Sequence, residues 1–325
     1  MRVWISLLLV GLAVFVNVFP WPAALADQVY TSGMLPAVNE AAHTWSAFAV
    51  PPFLVVILAL LLTLFTRQRW RILGPAILFA ALVFPFTFGL GYRTTQLEAR
   101  LHVASAAPDV AGLAAHTGDA LLRLPSEPLA TFGEQAERAA TCVHEFLTTA
   151  ALFPTWKAPT PRQLPNGWLL TFGVSGFINP FTHEVHVDPA LPGWYTEHVL
   201  RHEFAHTAGF SREAEAEAVA LLAGLGCRDA GARYTGYTAL AVWLHHAGAV
   251  ASGTLPSGVQ LDIAALSGAL EQHTNTALEQ ATSAVYSQYL QTQGTEGTSD
   301  YARALHVTAQ VFVGKPCWFT LSCAE

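Results

Sequence analysis

The segment His202-Glu203-Phe204-Ala205-His206 sets two imidazoles four residues apart with a carboxylate beside the first. On a helix, residues four apart stack on one face, so both rings can reach one ion about 2.0–2.1 Å from each nitrogen. Glu203 sits at the edge of that face, where it can take a proton from a water activated by the ion. The ion expected is Zn2+, which in a catalytic site takes three protein ligands and leaves a fourth position open. Gly209 can adopt the left-handed conformation that ends a helix. Ser211 can then cap a second helix whose start carries Glu213, Glu215 and Glu217. Glu213 and Glu217 share a face, whereas Glu215 points away with Val219 and Leu222. Glu213 is therefore the expected third ligand, with Glu215 and Glu217 as alternatives. Glu217 is expected to accept the spare N–H of His202 and fix its tautomer. Acids in a first turn also complement the helix dipole, at about 0.3–1 kcal/mol each. That alone does not explain an acidic turn so close behind two histidines.

Other residues are weighed against this centre. His198, two turns from His206, reads as a rim residue rather than a ligand. An oxyanion formed during amide hydrolysis needs a donor. Tyr234 and Tyr237 are the nearest downstream candidates and Tyr301 a third, each also readable as a buried aromatic with a satisfied hydroxyl. His43 and the pair His245-His246 lie apart from other ligand-type residues. No G-x-S-x-G, P-loop or G-x-G-x-x-G occurs, so serine hydrolase, nucleotide and dinucleotide chemistry lack support.

The elements that must hold the centre follow from composition. The chain has 325 residues, 52% hydrophobic and only 12% charged, with a net charge of −7. Soluble domains carry roughly 25% charged residues, so the shortfall points to membrane association and away from disorder. A nucleic-acid partner is excluded by the lack of clustered Lys and Arg. The apolar excess is concentrated near the amino terminus. Residues 1–26 read as a cleaved signal peptide or a first transmembrane helix, since Trp4–Phe19 is apolar and Ala24-Leu25-Ala26 offers a cleavage triplet. Residues 27–46 then form an outer loop, 47–66 a transmembrane helix, 67–71 a cytoplasmic loop and 72–92 another transmembrane helix. Arg67, Arg69 and Arg71 place their loop inside by the positive-inside rule. The competing reading of 47–92 is two buried core helices joined by a basic turn.

Residues 93–325 form the extracytoplasmic domain. Its four cysteines suit an oxidising compartment, and the close pair Cys317–Cys323 leaves Cys142 with Cys227. Pro154 to Pro165 reads as a loop. Trp168–Phe172 and Glu184–Asp188 read as two short strands that pair. Helical pattern resumes near Thr196, a good cap residue, and fills most of 211–226, 236–250, 260–292 and 299–312. The fold class expected is mainly α: transmembrane helices, then a zincin-like α+β domain with a short sheet before the metal helix. The strand Glu184–Asp188 could pair with an extended substrate peptide, the alternative being an ordinary hairpin strand.

The stretch 202–222, HEFAHTAGFSREAEAEAVALL, followed by Arg233-Tyr234-Thr235-Gly236-Tyr237, resembles an uncharacterised bacterial family of membrane-anchored zinc metallopeptidases. That family has H-E-x-A-H, a Gly turn, an acidic E-x-E-A helix start and a Y-[ST]-G-Y segment. The resemblance extends to residues 30–36, 89–93, 173–188 and 297–305. The chain departs at Glu217, where Asn is usual, and at His183 and His186, which replace smaller residues. The resemblance implies a gluzincin-like site with two His and one Glu on zinc, in a multi-pass protein of the inner membrane with its domain outside the cytoplasm. Zinc-assisted hydrolysis of a peptide or protein substrate is the activity expected, with Glu203 as general base. An intramembrane protease is disfavoured by Glu197, Arg201 and Arg212 around the motif, which are costly in hydrocarbon. The alternative from another class is a membrane-tethered binding or scaffold protein with a structural or inactive metal site, and Glu203 argues against it.

Overall fold

Residues 213–225 alternate glutamates with Ala214, Ala216 and Ala218, then run Val-Ala-Leu-Leu-Ala-Gly-Leu. From Ala218 onward the helix is small and apolar on all sides, a pattern that belongs inside a protein. It is the central element here, with every residue buried. The computed structural model describes residues 2–320, apart from most of 49–68 and the short stretches 126–129, 154 and 298–301. Its longer helices are α1 (Arg2–Val18), α2 (Leu35–Trp45), α3 (Arg69–Thr87), α4 (Val110–Arg123), α5 (Phe132–Thr149) and α6 (Gly193–Thr207). They continue as α7 (Glu213–Leu225), α8 (Ala230–His246), α9 (Ser257–His273), α10 (Thr276–Thr292) and α11 (Ala302–Gly314). The chain is thus mainly helical with one small sheet of β1 (Arg162–Gln163), β2 (Gly176–Ile178) and β3 (Val185–Val187).

Around α7 pack α5, α6, α8 and α11. α8 crosses it closely, because Gly224 and Gly236 meet at the crossing. A Cβ on Gly236 would lie 2.7 Å from the Gly224 carbonyl carbon. Beside them the fully buried Arg201 of α6 donates to Glu197 Oε1 at 2.7 Å and Thr235 Oγ1 at 3.0 Å. Arg138 of α5 donates to the other Glu197 oxygen at 2.6 Å. The charges flanking the histidine motif are therefore paired inside the domain. Side chains cap some of the helices, as in the capping box of Thr131 and Glu134 at the start of α5. A disulfide between Cys142 and Cys227, as expected, ties α5 to the end of α7. Cys317 is also disulfide-bonded, while its expected partner Cys323 lies outside the described residues.

The sheet order is β1-β3-β2, with β1 parallel and β2 antiparallel to β3. Residues 184–188 hold a strand as expected, but its partner is not 168–172. That segment turns into a 3-10 helix at Leu170–Phe172. The cause is the buried carboxylate of Asp188, which accepts from the backbone N–H groups of Gly167, Leu169 and Leu170 at 2.8–3.1 Å. Amides drawn onto one carboxylate cannot form a ladder. Likewise α6 starts at Gly193, after Pro192, rather than at Thr196.

The amino-terminal expectations change most. α1 stops at Val18 ahead of Pro20 and Pro22, so no single helix reaches Leu25. Residues 27–46 are not a loop: Asp27–Met34 is π-helical and runs into α2, with Tyr30, Leu35 and Ala42 buried. Most of the expected helix 47–66 lies outside the described residues. α3 takes Arg69 and Arg71 into its first turn, passes through Pro75 and Pro85, and gives way to a buried 3-10 turn at Gly89–Arg93. Among the described residues no helix is long and apolar enough to cross a membrane. The α1 and α3 helices nevertheless pack together, with Asn17 Nδ2 donating to the Ala81 carbonyl at 2.9 Å.

Candidate metal centre

α6 ends in a Schellman turn. The Phe210 N–H reaches the Ala205 carbonyl at 3.2 Å and the Gly209 N–H reaches that of His206 at 3.0 Å. Gly209 has φ +109°, a left-handed value that favours glycine, and a Cβ there would meet Leu35 Cδ2 at 2.5 Å. The turn folds α7 back against α6. Contrary to expectation, Ser211 does not cap α7: its Oγ donates to the Phe88 carbonyl at 3.0 Å, and Arg212 occupies the cap position without its side chain capping the helix.

This fold-back brings Glu213 onto the two histidines. Glu213 Oε2 lies 3.2 Å from His202 Nε2 and 3.4 Å from His206 Nε2, and the two Nε2 atoms are 3.1 Å apart. Ligands at about 2.0–2.1 Å from a tetrahedral ion are separated by about 3.3–3.4 Å. The triangle is close to that size, so its three atoms could hold a metal ion. The opposite nitrogens fix the tautomers. His206 Nδ1 donates to the Phe210 carbonyl at 2.7 Å, and His202 Nδ1 donates to Glu217 Oε2 at 3.0 Å. Both Nε2 lone pairs then point at each other and at a carboxylate oxygen, an arrangement that needs a proton or a cation among them. Burial opposes charge on His202, but Glu213 and Glu217 hold its pKa well above the usual range. Metal ions compete for such a site by displacing that proton.

Glu217 serves three donors. Besides His202, His198 Nε2 lies 2.9 Å and Trp243 Nε1 2.6 Å from its Oε1. Burial works against the charge, yet His198 and His202 keep its carboxyl far below the usual range. His198 is thus buried and bonded, not at the rim. Glu215 points away as expected, accepting from the Leu97 N–H at 3.1 Å and from Arg212 at 2.8 Å.

Glu203 stands beside the triangle, 5% exposed. Burial pushes its pKa up to about 7, offset in part by His202 and His206 and reinforced by Glu213 and Glu217. Its carboxylate faces β2: a Cβ on Gly176 would lie 3.2 Å from Glu203 Oε1 and 2.6 Å from Val199. Glycine at 176 lets the strand approach the metal helix this closely. β3, considered for peptide pairing, is hydrogen-bonded on both sides, whereas β2 is an edge strand among the described residues.

The tyrosines expected as oxyanion donors are elsewhere. Tyr234 donates to Asp262 Oδ2 at 2.5 Å, and the Tyr237 hydroxyl meets His116 Nε2 at 2.8 Å. Helix α8 turns both away from the centre, and Tyr301 lies outside the described residues. In their place Tyr286 of α10 donates to Glu213 Oε1, leaving Oε2 to the histidines. Sequence reasoning missed Tyr286, Trp243 and the role of His198; the aromatic spacing of Tyr286 and Tyr289 on a polar helix was the available signal. His186 stacks on Phe177 with centroids 4.9 Å apart, and the His183 ring reaches the Thr87 carbonyl, so neither joins the metal triangle. His202, His206 and Glu213 each offer one ligand atom, and these atoms all lie within 4.8 Å of one another.

A family model described as "Protein of unknown function (DUF3810)" matches residues 30–307. No curated protein and no solved structure matches the chain.

Proposed function

The chain belongs to the DUF3810 family, whose function is unknown, and from its centre we propose that it is a membrane-anchored, zinc-dependent metallopeptidase. The observation that carries this is the triangle of His202 Nε2, His206 Nε2 and Glu213 Oε2, 3.1–3.4 Å on each side, with the buried carboxyl of Glu203 beside it. When bound, zinc supplies a Lewis acid and acidifies a water. Glu203, with a pKa near 7 in the metal-free site, would take a proton from the attacking water and pass it to the leaving amine. An extended peptide adds to the open edge of β2, which brings its backbone past Gly176 to Glu203. Tyr286 holds Glu213 Oε1, so that Oε2 would be the carboxylate oxygen left to a metal. A purely structural metal site has no use for Glu203 in this position.

The membrane part of the proposal rests on the surface of α1 and α3. Val14, Phe15, Ile77 and Phe79 are each more than half exposed, and no charged residue occurs between Arg71 and Arg93. Apolar surface of this kind on paired helices fits lipid rather than water. The disulfide at Cys142–Cys227 fits a domain on the outer face.

Metal analysis of the purified chain tests the first step: about one zinc per chain is expected, lost on His202→Ala. Glu203→Gln should keep the metal and lower peptide cleavage by about 10²–10⁴-fold. Undiminished cleavage by that variant would refute the general-base assignment.

A further inference from the structure

The apolar helix α3 ends beside the candidate metal centre. Only Phe88 separates α3 from the Gly89–Arg93 turn, and this junction is bonded into the domain. The Phe88 carbonyl accepts from Ser211 at 3.0 Å, and the Thr87 carbonyl from His183 Nε2 at 2.8 Å. Arg212 donates to the carbonyls of Tyr92 and Thr94, both at 2.8 Å. A side chain on Gly91 would collide with Ser211. The Phe88 ring lies 5.9 Å from the His206 imidazole. With no linker between them, the position of the centre relative to the end of α3 is set by packing.

β2 leads along the same path. At one end, a Cβ on Gly176 would lie 3.2 Å from Glu203 Oε1; Ile178, at the other, packs on the Phe88, Tyr92 and Leu290 cluster at the foot of α3. Phe181, in the turn after β2, meets Phe84 of α3 with ring centroids 6.1 Å apart. Phe88 and Tyr92 are buried there, so the foot of α3 is packed into the domain that carries the centre. A strand rises about 3.3 Å per residue, so a peptide lying along β2 passes from Glu203 to the foot of α3 in about two or three residues.

We infer that the substrates of this centre are membrane-tethered polypeptides, cut within a few residues of where they leave the bilayer. This rests on the peptidase and lipid-anchor readings proposed above. The reaction is hydrolysis without redox: the amide C–N bond breaks, a C–O bond forms from water, and the water proton carried by Glu203 goes to the new amine. A soluble peptide can be cut by the same chemistry, but it lacks the tether that holds its backbone at the height of β2.

The test uses the full chain, zinc-loaded, in phosphatidylcholine–phosphatidylglycerol vesicles. One mixed-sequence peptide library is supplied in three forms: free, palmitoylated through about four residues, and palmitoylated through a flexible spacer of about twenty. Each tethered form is made with the lipid at either end, and cleavage is followed by mass spectrometry. The short-tether library should be cut at least about tenfold faster than the free one and faster than the long-tether one, whose enrichment at the surface is the same but whose reach differs. Equal rates for free and short-tether peptides, or for short and long tethers, would overturn the inference and leave the peptidase reading intact. If none of the three is cut, the peptidase reading falls and the inference with it.

Discussion

At the scale of single residues, one carboxylate organises the centre. Glu217 accepts from His202, His198 and Trp243, so it orients one proposed ligand while being fixed by two groups from elsewhere. Partners of this kind typically contribute 10–100-fold to metal affinity. Glu217→Gln keeps the shape and loses the charge that holds the His202 N–H. A chelator-competition titration should therefore show zinc bound about 10–100-fold more weakly, with far-UV circular dichroism unchanged. Unaltered affinity would mean that His202 is oriented without it. The stretch that carries Glu217 was readable because residues four apart on a helix share a face. Trp243, 26 positions away, was not.

At the scale of elements, the close crossing of α7 and α8 sets where the fold-back can place Glu213. Gly236→Val would force its side chain against the Gly224 backbone, 2.7 Å from where Cβ begins. Such overpacking costs about 1–3 kcal/mol, and more where backbone rather than side chain must yield. Urea unfolding should show that loss. By contrast Gly118, on α4, has nothing within 4 Å of a Cβ, so Gly118→Ala should stabilise by up to about 1 kcal/mol through helix propensity alone. The sheet teaches the opposite lesson about elements. Residues 168–172 have strand-like composition, yet Asp188, on the far side of the hairpin, captures their amides.

At the scale of the whole molecule, His183 joins the β2–β3 turn to the end of α3. It is fully buried, donates to the Thr87 carbonyl, and has a positive φ of +53°. Burial lowers its pKa from 6.5 to about 4, with the Thr87 bond opposing and His206 adding to the shift. Between those two values the unfolded chain binds a proton that the folded chain does not. Stability is therefore complete above about 6.5 and falls as pH drops toward 4. Glu203, raised from 4.5 to about 7, acts with the opposite sign over much of that window, so a difference measurement is needed. In metal-free protein, the loss of stability between about pH 7 and 5 should be smaller in His183→Gln than in the parent by about 2 kcal/mol. Identical pH slopes in urea unfolding would remove His183 from the joint.

The amino-acid sequence by itself determined the short-range part of this protein. The two imidazoles and Glu203 on one turn, the left-handed Gly209, the acidic start of α7 and the helical bulk of residues 211–312 all depend on neighbours within a few positions. Hydrogen bonding and side-chain periodicity act at that range, so spacing alone exposes them. Only the tertiary structure decided which distant groups complete the centre: Tyr286 rather than Tyr234 or Tyr237, β2 rather than β3 as the open edge, and the end of α3 as its neighbour. Those choices follow from how helices interlock. Two glycines at a crossing or one buried aspartate can redirect a side chain tens of residues away, and no local pattern records that.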